Sequence, residues 1–231
     1  MVGTEQDPCR PTEENVCRLL GRVFGCSLEL AGQIRLRGKI RQYELRATIV
    51  RRGDRVSTLY VVIAGRAHAI VYSVDGQAVL LHEYRSGDFF GATSSPRSAT
   101  HEADVIVVEQ LSAFLLDSGV LAILAERHGC IGLALFQLMV DRLQQTTSRM
   151  YEHAALSAVG RVHAELLRQA QQSGDLKIRP APILADLALR VSTTRETASR
   201  AVNALQRRGI IRRDHDALTV VAPHRLEELI L

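Results

Sequence analysis

From Thr193 to Arg200 the chain reads Thr-Thr-Arg-Glu-Thr-Ala-Ser-Arg, in which every side chain but that of Ala198 can hydrogen-bond. Wound as a helix, the segment places Ala198, Ala201, Val202 and Leu205 on one side, and Arg195, Glu196, Ser199 and Arg200 on the other. Such an outward set suits the edges of base pairs. A guanidinium holds guanine through two hydrogen bonds and a carboxylate accepts from the cytosine amino group. Threonine or serine reaches a phosphate or the thymine methyl. The same residues would also serve as a solvated face with an i,i+4 pair between Glu196 and Arg200. The flanking sequence decides between the two.

Upstream, PILADLALR carries apolar residues at 183, 184 and 187 and predicts a short helix, and Val191-Ser192-Thr193 predicts a tight turn. Thr194 can cap the following helix, and Gly209 stands just past its end, where a left-handed residue is needed. IIRR-DHDA-LTVVAP then reads as a two-stranded hairpin and HRLEELI as a short terminal helix. Helix, turn, helix and hairpin make a winged helix-turn-helix, whose second helix enters a major groove. The polar set is therefore expected to contact DNA.

Other chemistry is weakly represented. There is no HExxH, Walker A, GxSxG or paired-carboxylate context, so no enzymatic activity is expected. Cys9, Cys17, Cys26 and Cys130 do not form a disulfide framework at this length, and the C-x7-C-x8-C run is far looser than iron–sulfur spacings. His68, His82 and His101 fall in predicted strands, where an ordinary strand histidine is the simpler reading than a haem ligand. No metal site is expected.

The length of 231 residues allows two domains with cores of their own, and 46% hydrophobic against 23% charged residues is the balance of a globular protein. A net charge of +4 permits a polyanionic partner without demanding one. All basic residues except Lys39 and Lys177 are arginine, which suits phosphate and guanine but also follows from a GC-rich genome. The start is polar and no apolar run approaches the ~18 residues of a membrane span, so a cytoplasmic protein with no membrane partner is expected.

Three textures follow one another. After a polar start and a short amphipathic helix predicted over 13–24, the chain from about Arg46 turns to short runs rich in Val, Ile and aromatics: ATIV, TLYVVIAG, AHAIVYSV, AVLLHEY, HEADVIVVE and SAFLLD. Turn signals at Gly53-Asp54, Gly65, Asp75-Gly76 and Gly87-Asp88 separate them, as in a barrel, sandwich or roll. From Asp117 to about Gln172 the pattern is helical, with Gly160 as the expected break or hinge. The stretch 131–155 has no proline. One stripe along it, Gly132, Phe136, Met139, Leu143, Thr146, Met150 and His153, alternates steps of four and three like a coiled-coil seam. A second stripe at 131, 135, 138, 142, 145 and 149 begins Ile-Leu-Leu and ends Arg-Gln-Arg. This predicts a helix that packs on its own domain and leaves it near Arg142 while still facing a partner through Phe136, Met139, Leu143, Thr146 and Met150.

TTRETASRAVNALQRRGIIRR resembles the recognition helix and wing of the CRP/FNR family. GD at 53–54, LYVVIAG at 59–65, DG at 75–76, SGDFFGA at 86–92, PRSAT at 96–100, RLQQTT at 142–147 and GR at 160–161 agree with it in order. The resemblance implies an α+β chain. An N-terminal helix and effector-sensing, cyclic-nucleotide-binding-type β-roll would occupy 1–128. A central dimerisation helix would span 129–156, and a winged helix 157–231. It implies that Arg195, Glu196 and Arg200 read bases, with Thr194 and Thr197 in support. The partners it implies are a pseudo-palindromic duplex bound by a homodimer, and RNA polymerase. Ser192 departs from the glycine common at the turn. In the family's phosphate cassette Gly91, Arg97 and Ser98 match, while Ala92 replaces the usual glutamate for the ribose 2′-hydroxyl and the Gly91–Arg97 segment is short. Thr146 and Thr147 match the pair that meets the adenine. Three effector readings stay open: a cyclic nucleotide bound with altered specificity, a vestigial pocket, or an FNR-like redox or gas sensor using cysteines or haem.

Overall fold

The computed structural model describes residues 12–74, 76, 78–91 and 100–230. By packing the chain falls into two units, one of residues before 72 together with 81–142, the other of 72–80 together with residues from 143 onward.

The first unit opens with two helices, α1 (Glu13–Val23) and α2 (Leu28–Arg35). Each has a hydroxyl N-cap: Thr12 Oγ1 accepts from the Asn15 amide and Ser27 Oγ from the Leu30 amide, both at 3.3 Å. Strands β1 (Lys39–Tyr43), β2 (Thr48–Val50), β3 (Thr58–Tyr72), β4 (Ala78–Tyr84), β5 (Phe89–Gly91) and β6 (Asp104–Asp117) follow. They form one six-stranded sheet in the order β1-β6-β3-β4, with β2 added to β6 and β5 to β3. Asp117 then caps α3 (Ser118–Arg127), accepting from Gly119 and Val120. Two cores result. One lies where α1, α2, α3 and the start of the next helix cover the sheet, around Leu20, Phe24, Ile34, Phe114, Leu121 and Ile131. The other fills the roll, around Val62, Tyr84, Phe90, Val107 and Leu111.

Gly65 does not end a strand. β3 runs through it for 15 residues, and its pairing with β6 shifts register between Val62 and Ala67. Gly65 sits at φ +84°, and a Cβ there would stand 2.0 Å from the Gln110 carbonyl oxygen. The glycine is thus a bulge that bends one long strand, and HEADVIVVE and SAFLLD are likewise halves of the single strand β6. Strand β1 and helix α2 lie in stretches that the periodicity left unassigned.

Helix α4 (Gly129–Ala155) runs through the boundary at 142/143. In the second unit it is followed by α5 (Ala158–Gln172), β7 (Lys177–Ile178), α6 (Leu184–Arg190), α7 (Arg195–Arg207), β8 (Ile211–Arg213), β9 (Leu218–Val220) and α8 (Pro223–Glu227). The three strands form a small antiparallel sheet, β7-β9-β8. One core joins Val162 and Leu166 of α5, Leu187 of α6, Ala198, Val202 and Leu205 of α7, Leu218 and Val220 of β9, and Leu226 of α8.

The break expected at Gly160 lies instead at Leu156-Ser157, between α4 and α5. Ser157 is the N-cap of α5, and its Oγ accepts from the Gly160 amide at 3.0 Å. Gly160 is buried in the first turn, and a Cβ there would stand 3.2 Å from the Ile230 carbonyl oxygen. Its small size serves packing rather than a hinge.

Candidate nucleic-acid interface and sensor roll

The turn 191–193 and helix α7 form as the pattern predicts. Ser192 takes φ +48° in the turn and Gly209 φ +66° after the helix. Thr194 Oγ1 accepts from the Thr197 amide at 3.1 Å and lies 2.9 Å from the Thr197 hydroxyl, so both threonines are engaged in holding the helix start. Ala198, Ala201, Val202 and Leu205 are buried, while Arg195, Glu196 and Arg200 are exposed and Ser199 is partly so. Glu196 and Arg200 form the i,i+4 ion pair in the DNA-free chain, with side chains 71% and 77% exposed. At that exposure the pair contributes only about 0.3–0.5 kcal/mol, so it opposes a rearrangement towards bases weakly. It pre-sets both side chains on the outward face. Arg207, Arg208, Arg212 and Arg213 add four more exposed guanidiniums at the end of α7 and on the wing strand β8, which the periodic reading did not single out. Their signal was the RRGIIRR string itself, arginines on both sides of a helix-ending glycine.

In the roll, Gly91 ends β5 at φ +93°, and a Cβ there would stand 2.2 Å from the Thr58 carbonyl oxygen. Arg97, Ser98 and Ala92 lie outside the described residues. Within β5, Phe90 stacks with both Tyr60 (4.8 Å between ring centroids) and Tyr84 (4.7 Å). Burial pushes the Tyr84 hydroxyl above the usual tyrosine range, against the pull of Arg142. His68, 4% exposed, places Nε2 2.9 Å from Glu83 Oε2, so that nitrogen is committed to a carboxylate. Cys17, Cys26 and Cys130 are free thiols, and burial followed by the nearby Cys130 raises the Cys26 pKa.

Along α4 the two stripes separate by burial. Ile131 and Leu135 of the second stripe are buried, whereas Phe136 is 63%, Met139 39%, Leu143 68% and Met150 68% exposed. Thr146 is exposed on the same seam, and Thr147 donates its hydroxyl back to the Leu143 carbonyl at 2.9 Å. The boundary between the two units falls at 142/143, where the departure was expected, and Arg142 itself is still held on the first unit. The Arg142 guanidinium lies over the rings of Tyr84 (5.8 Å) and Phe89 (5.9 Å) and donates to the Phe89 carbonyl. Two helical turns further on, Arg149 Nη1 donates to the Leu80 carbonyl at 3.3 Å. Long arginine stems continue what the leucines begin, covering strand residues with methylenes and reaching carbonyls with the charged end. Gln145 of the same stripe is exposed, whereas Arg142 and Arg149 are partly buried. Among the described residues no single helix is long and apolar enough to cross a membrane.

Comparisons with known proteins find relatives for both parts of the chain. Residues 40–128 match the family described as the cyclic nucleotide-binding domain, and residues 160–229 the Crp-like helix-turn-helix domain. The chain is 28% identical over 185 residues to the cAMP-activated global transcriptional regulator Vfr of Pseudomonas aeruginosa, covering 74% of this chain and 84% of that one. It is 25% identical over 183 residues to the cAMP-activated global transcriptional regulator CRP of Escherichia coli, again covering 74% and 84%. Among solved structures, a mutant of CooA from Carboxydothermus hydrogenoformans superposes with a TM-score of 0.78 over 96% of this chain and 98% of that one, at 18% identity. The c-di-GMP-responsive regulator CLP of Xanthomonas campestris gives 0.72 over 84% and 99%, at 22% identity. These two likenesses are of fold.

Proposed function

We propose that this chain, which belongs to the CRP/FNR family of DNA-binding transcription regulators, reads its operator through Arg195, Glu196 and Arg200 of α7, with Thr194, Thr197 and Ser199 in support. The observation that carries this is α7 itself. Its four apolar residues are buried, its N-terminus is capped by Thr194, and its charged residues stand clear of the core with only a weak pair between them. The wing arginines Arg212 and Arg213 are exposed beyond the same helix, in a place suited to phosphate. Two copies would pair through the uncovered seam Phe136, Met139, Leu143, Thr146 and Met150 and meet a pseudo-palindromic duplex, with RNA polymerase as the further partner in the cytoplasm.

The β-roll is the sensor in this proposal. By the motifs they match, Arg97 and Ser98 would hold the phosphate of a cyclic nucleotide, with Gly91 as the close-approach glycine, and Thr146 and Thr147 would meet its base. With Ala92 in place of a carboxylate, the ribose 2′-hydroxyl loses a charged acceptor, a change of about 1.5–3 kcal/mol or some ten- to a hundredfold in affinity. An effector switches the protein only by binding its DNA-competent form more tightly than the other.

The experiment is a binding isotherm on a duplex selected by the wild-type chain, together with its single-base variants. Arg195→Ala should cost about 1–3 kcal/mol at one base position and relax discrimination there. A uniform loss over all variants would place Arg195 on phosphate and overturn its assignment as a base reader. Calorimetry with cAMP and cGMP at millimolar concentration tests the sensor, and absence of heat would remove the cyclic-nucleotide reading.

A further inference from the structure

Arg161, in the first turn of α5, contacts backbone almost alone. Its Nε donates to the Val191 carbonyl at 2.9 Å, Nη2 to the Ser192 carbonyl at 3.3 Å and Nη1 to the Leu156 carbonyl at 3.2 Å. Among the described residues no carboxylate pairs with it. One planar cation therefore gathers three carbonyl dipoles from two places that are far apart in sequence. Leu156 lies in the break between α4 and α5, and Val191 and Ser192 form the turn between α6 and α7.

That turn sets where the DNA-facing helix begins. Ser192 is held in the left-handed region at φ +48°, a conformation that a residue with a Cβ adopts only when its surroundings fix it. The next amide, that of Thr193, bonds to the Ala188 carbonyl at 2.9 Å, and Thr194 is the N-cap of α7. Rotating the 191–192 or 192–193 peptide would thus redirect the cap and the helix behind it. The guanidinium fixes both of the carbonyls concerned through charge-assisted bonds.

We propose that Arg161 is the positioning residue of the DNA-reading helix. It locks the α6–α7 turn, and so the aim of Arg195, Glu196 and Arg200, to the α4–α5 break. The inference rests on the assignment of α7 as the reading helix. Lysine cannot replace it, because a single ammonium at the end of a flexible stem lacks the spread of the guanidinium fork that reaches these three carbonyls. Arg161 itself needs no contact with DNA for this role.

The test compares the full-length wild type with Arg161→Lys and Arg161→Gln. Hydrogen exchange is followed at the Thr193 and Thr197 amides, which bond to Ala188 O and Thr194 Oγ1, with amides in the middle of α5 as the internal control. Losing two of three charge-assisted bonds in Arg161→Lys, and all three in Arg161→Gln, should speed local exchange by roughly ten- to a hundredfold while the α5 amides stay protected. In parallel, affinity is measured for a duplex selected by the wild type from a random library and for a scrambled duplex of the same length. The specific affinity should fall about tenfold or more relative to the scrambled one, because base contacts need aim and phosphate contacts tolerate its loss. Unchanged exchange at Thr193 and Thr197 in both variants overturns the proposal. So does exchange that rises equally throughout α5, or an equal loss on both duplexes, since either outcome marks a merely stabilising contact. Should the wild type select no sequence at all, the DNA-reading assignment fails, and the exchange arm still decides whether Arg161 holds the turn.

Discussion

Leu143→Asp should turn a dimer into a monomer without unfolding the chain. Leu143 is 68% exposed in the isolated chain, in line with Phe136 at 63% and Met150 at 68%. Fully burying a side chain of this kind is worth about 1.5–3 kcal/mol, so the two-thirds still exposed on Leu143 represents about 1–2 kcal/mol in each copy. A two-fold interface doubles that to roughly 2–4 kcal/mol. Aspartate also brings an unpaired carboxylate into the seam from each side, with a desolvation cost of at least about 1 kcal/mol apiece. The sum is about 4–6 kcal/mol, and with tenfold per 1.4 kcal/mol the dissociation constant should rise by three to four orders of magnitude. Sedimentation velocity over a micromolar concentration series reads this directly, with circular dichroism to show that the helices remain. Gln144→Asp, exposed but one position off the seam, is the control and should leave the assembly unchanged. A Leu143→Asp protein that sediments like the wild type, or a Gln144→Asp protein that dissociates equally, would refute the seam.

Two further substitutions bear on the fold. Gly65→Ala should be among the most damaging small changes in the roll, since the Cβ would meet the Gln110 carbonyl oxygen at 2.0 Å and the residue sits at φ +84°. A loss of several kcal/mol, on the order of 3 or more, is expected in chemical denaturation, and a loss below 1 would show that the bulge relaxes freely. His163 is buried, donates from Nδ1 to the Leu229 carbonyl at 3.2 Å, and has a pKa lowered by burial and, to a smaller degree, by Arg208. Its folded form therefore resists a proton that the unfolded chain accepts. The stability it contributes is complete above the ordinary histidine value of about 6.5 and drains as pH falls towards the lowered folded value. His163→Asn keeps a donor for Leu229, and its thermal midpoint should fall less than that of the wild type on acidification. Parallel curves would mean that His163 does not titrate on unfolding.

The winged helix was legible because each of its signals is local. Thr194 as cap, Gly209 as the left-handed stop and four apolar residues at helical spacing sit within a single stretch of α7, and tertiary packing agrees with all of them. The roll was legible in kind but not in strand count, because Gly65 looks the same in sequence whether it makes a turn or a bulge. Only the partner strand, through the Gln110 carbonyl, distinguishes them. Gly160 was misread for the same reason: its neighbour is Ile230, far along the chain. Arg142 and Arg149 show the limit of binary patterning. A charged letter in an apolar stripe predicts solvent, but a long stem with ring faces and carbonyls at its end remains packed. Arg161 was visible only as part of a family motif, since its partners are carbonyls, which leave no trace in side-chain identity. Arg97 and Ser98 lie outside the described residues, so their role rests on the motif they match.

The central claim, that α7 reads bases as part of a symmetric pair, is tested most directly by selecting duplexes from a random library with the full-length protein and sequencing what it retains. The account predicts an enriched pseudo-palindrome whose two half-sites are centred about one helical turn, roughly 10 base pairs, apart. It also predicts that Arg195→Ala loses enrichment at one position in each half. Retention of duplexes with no common sequence, or of a single unrepeated half-site, would contradict it.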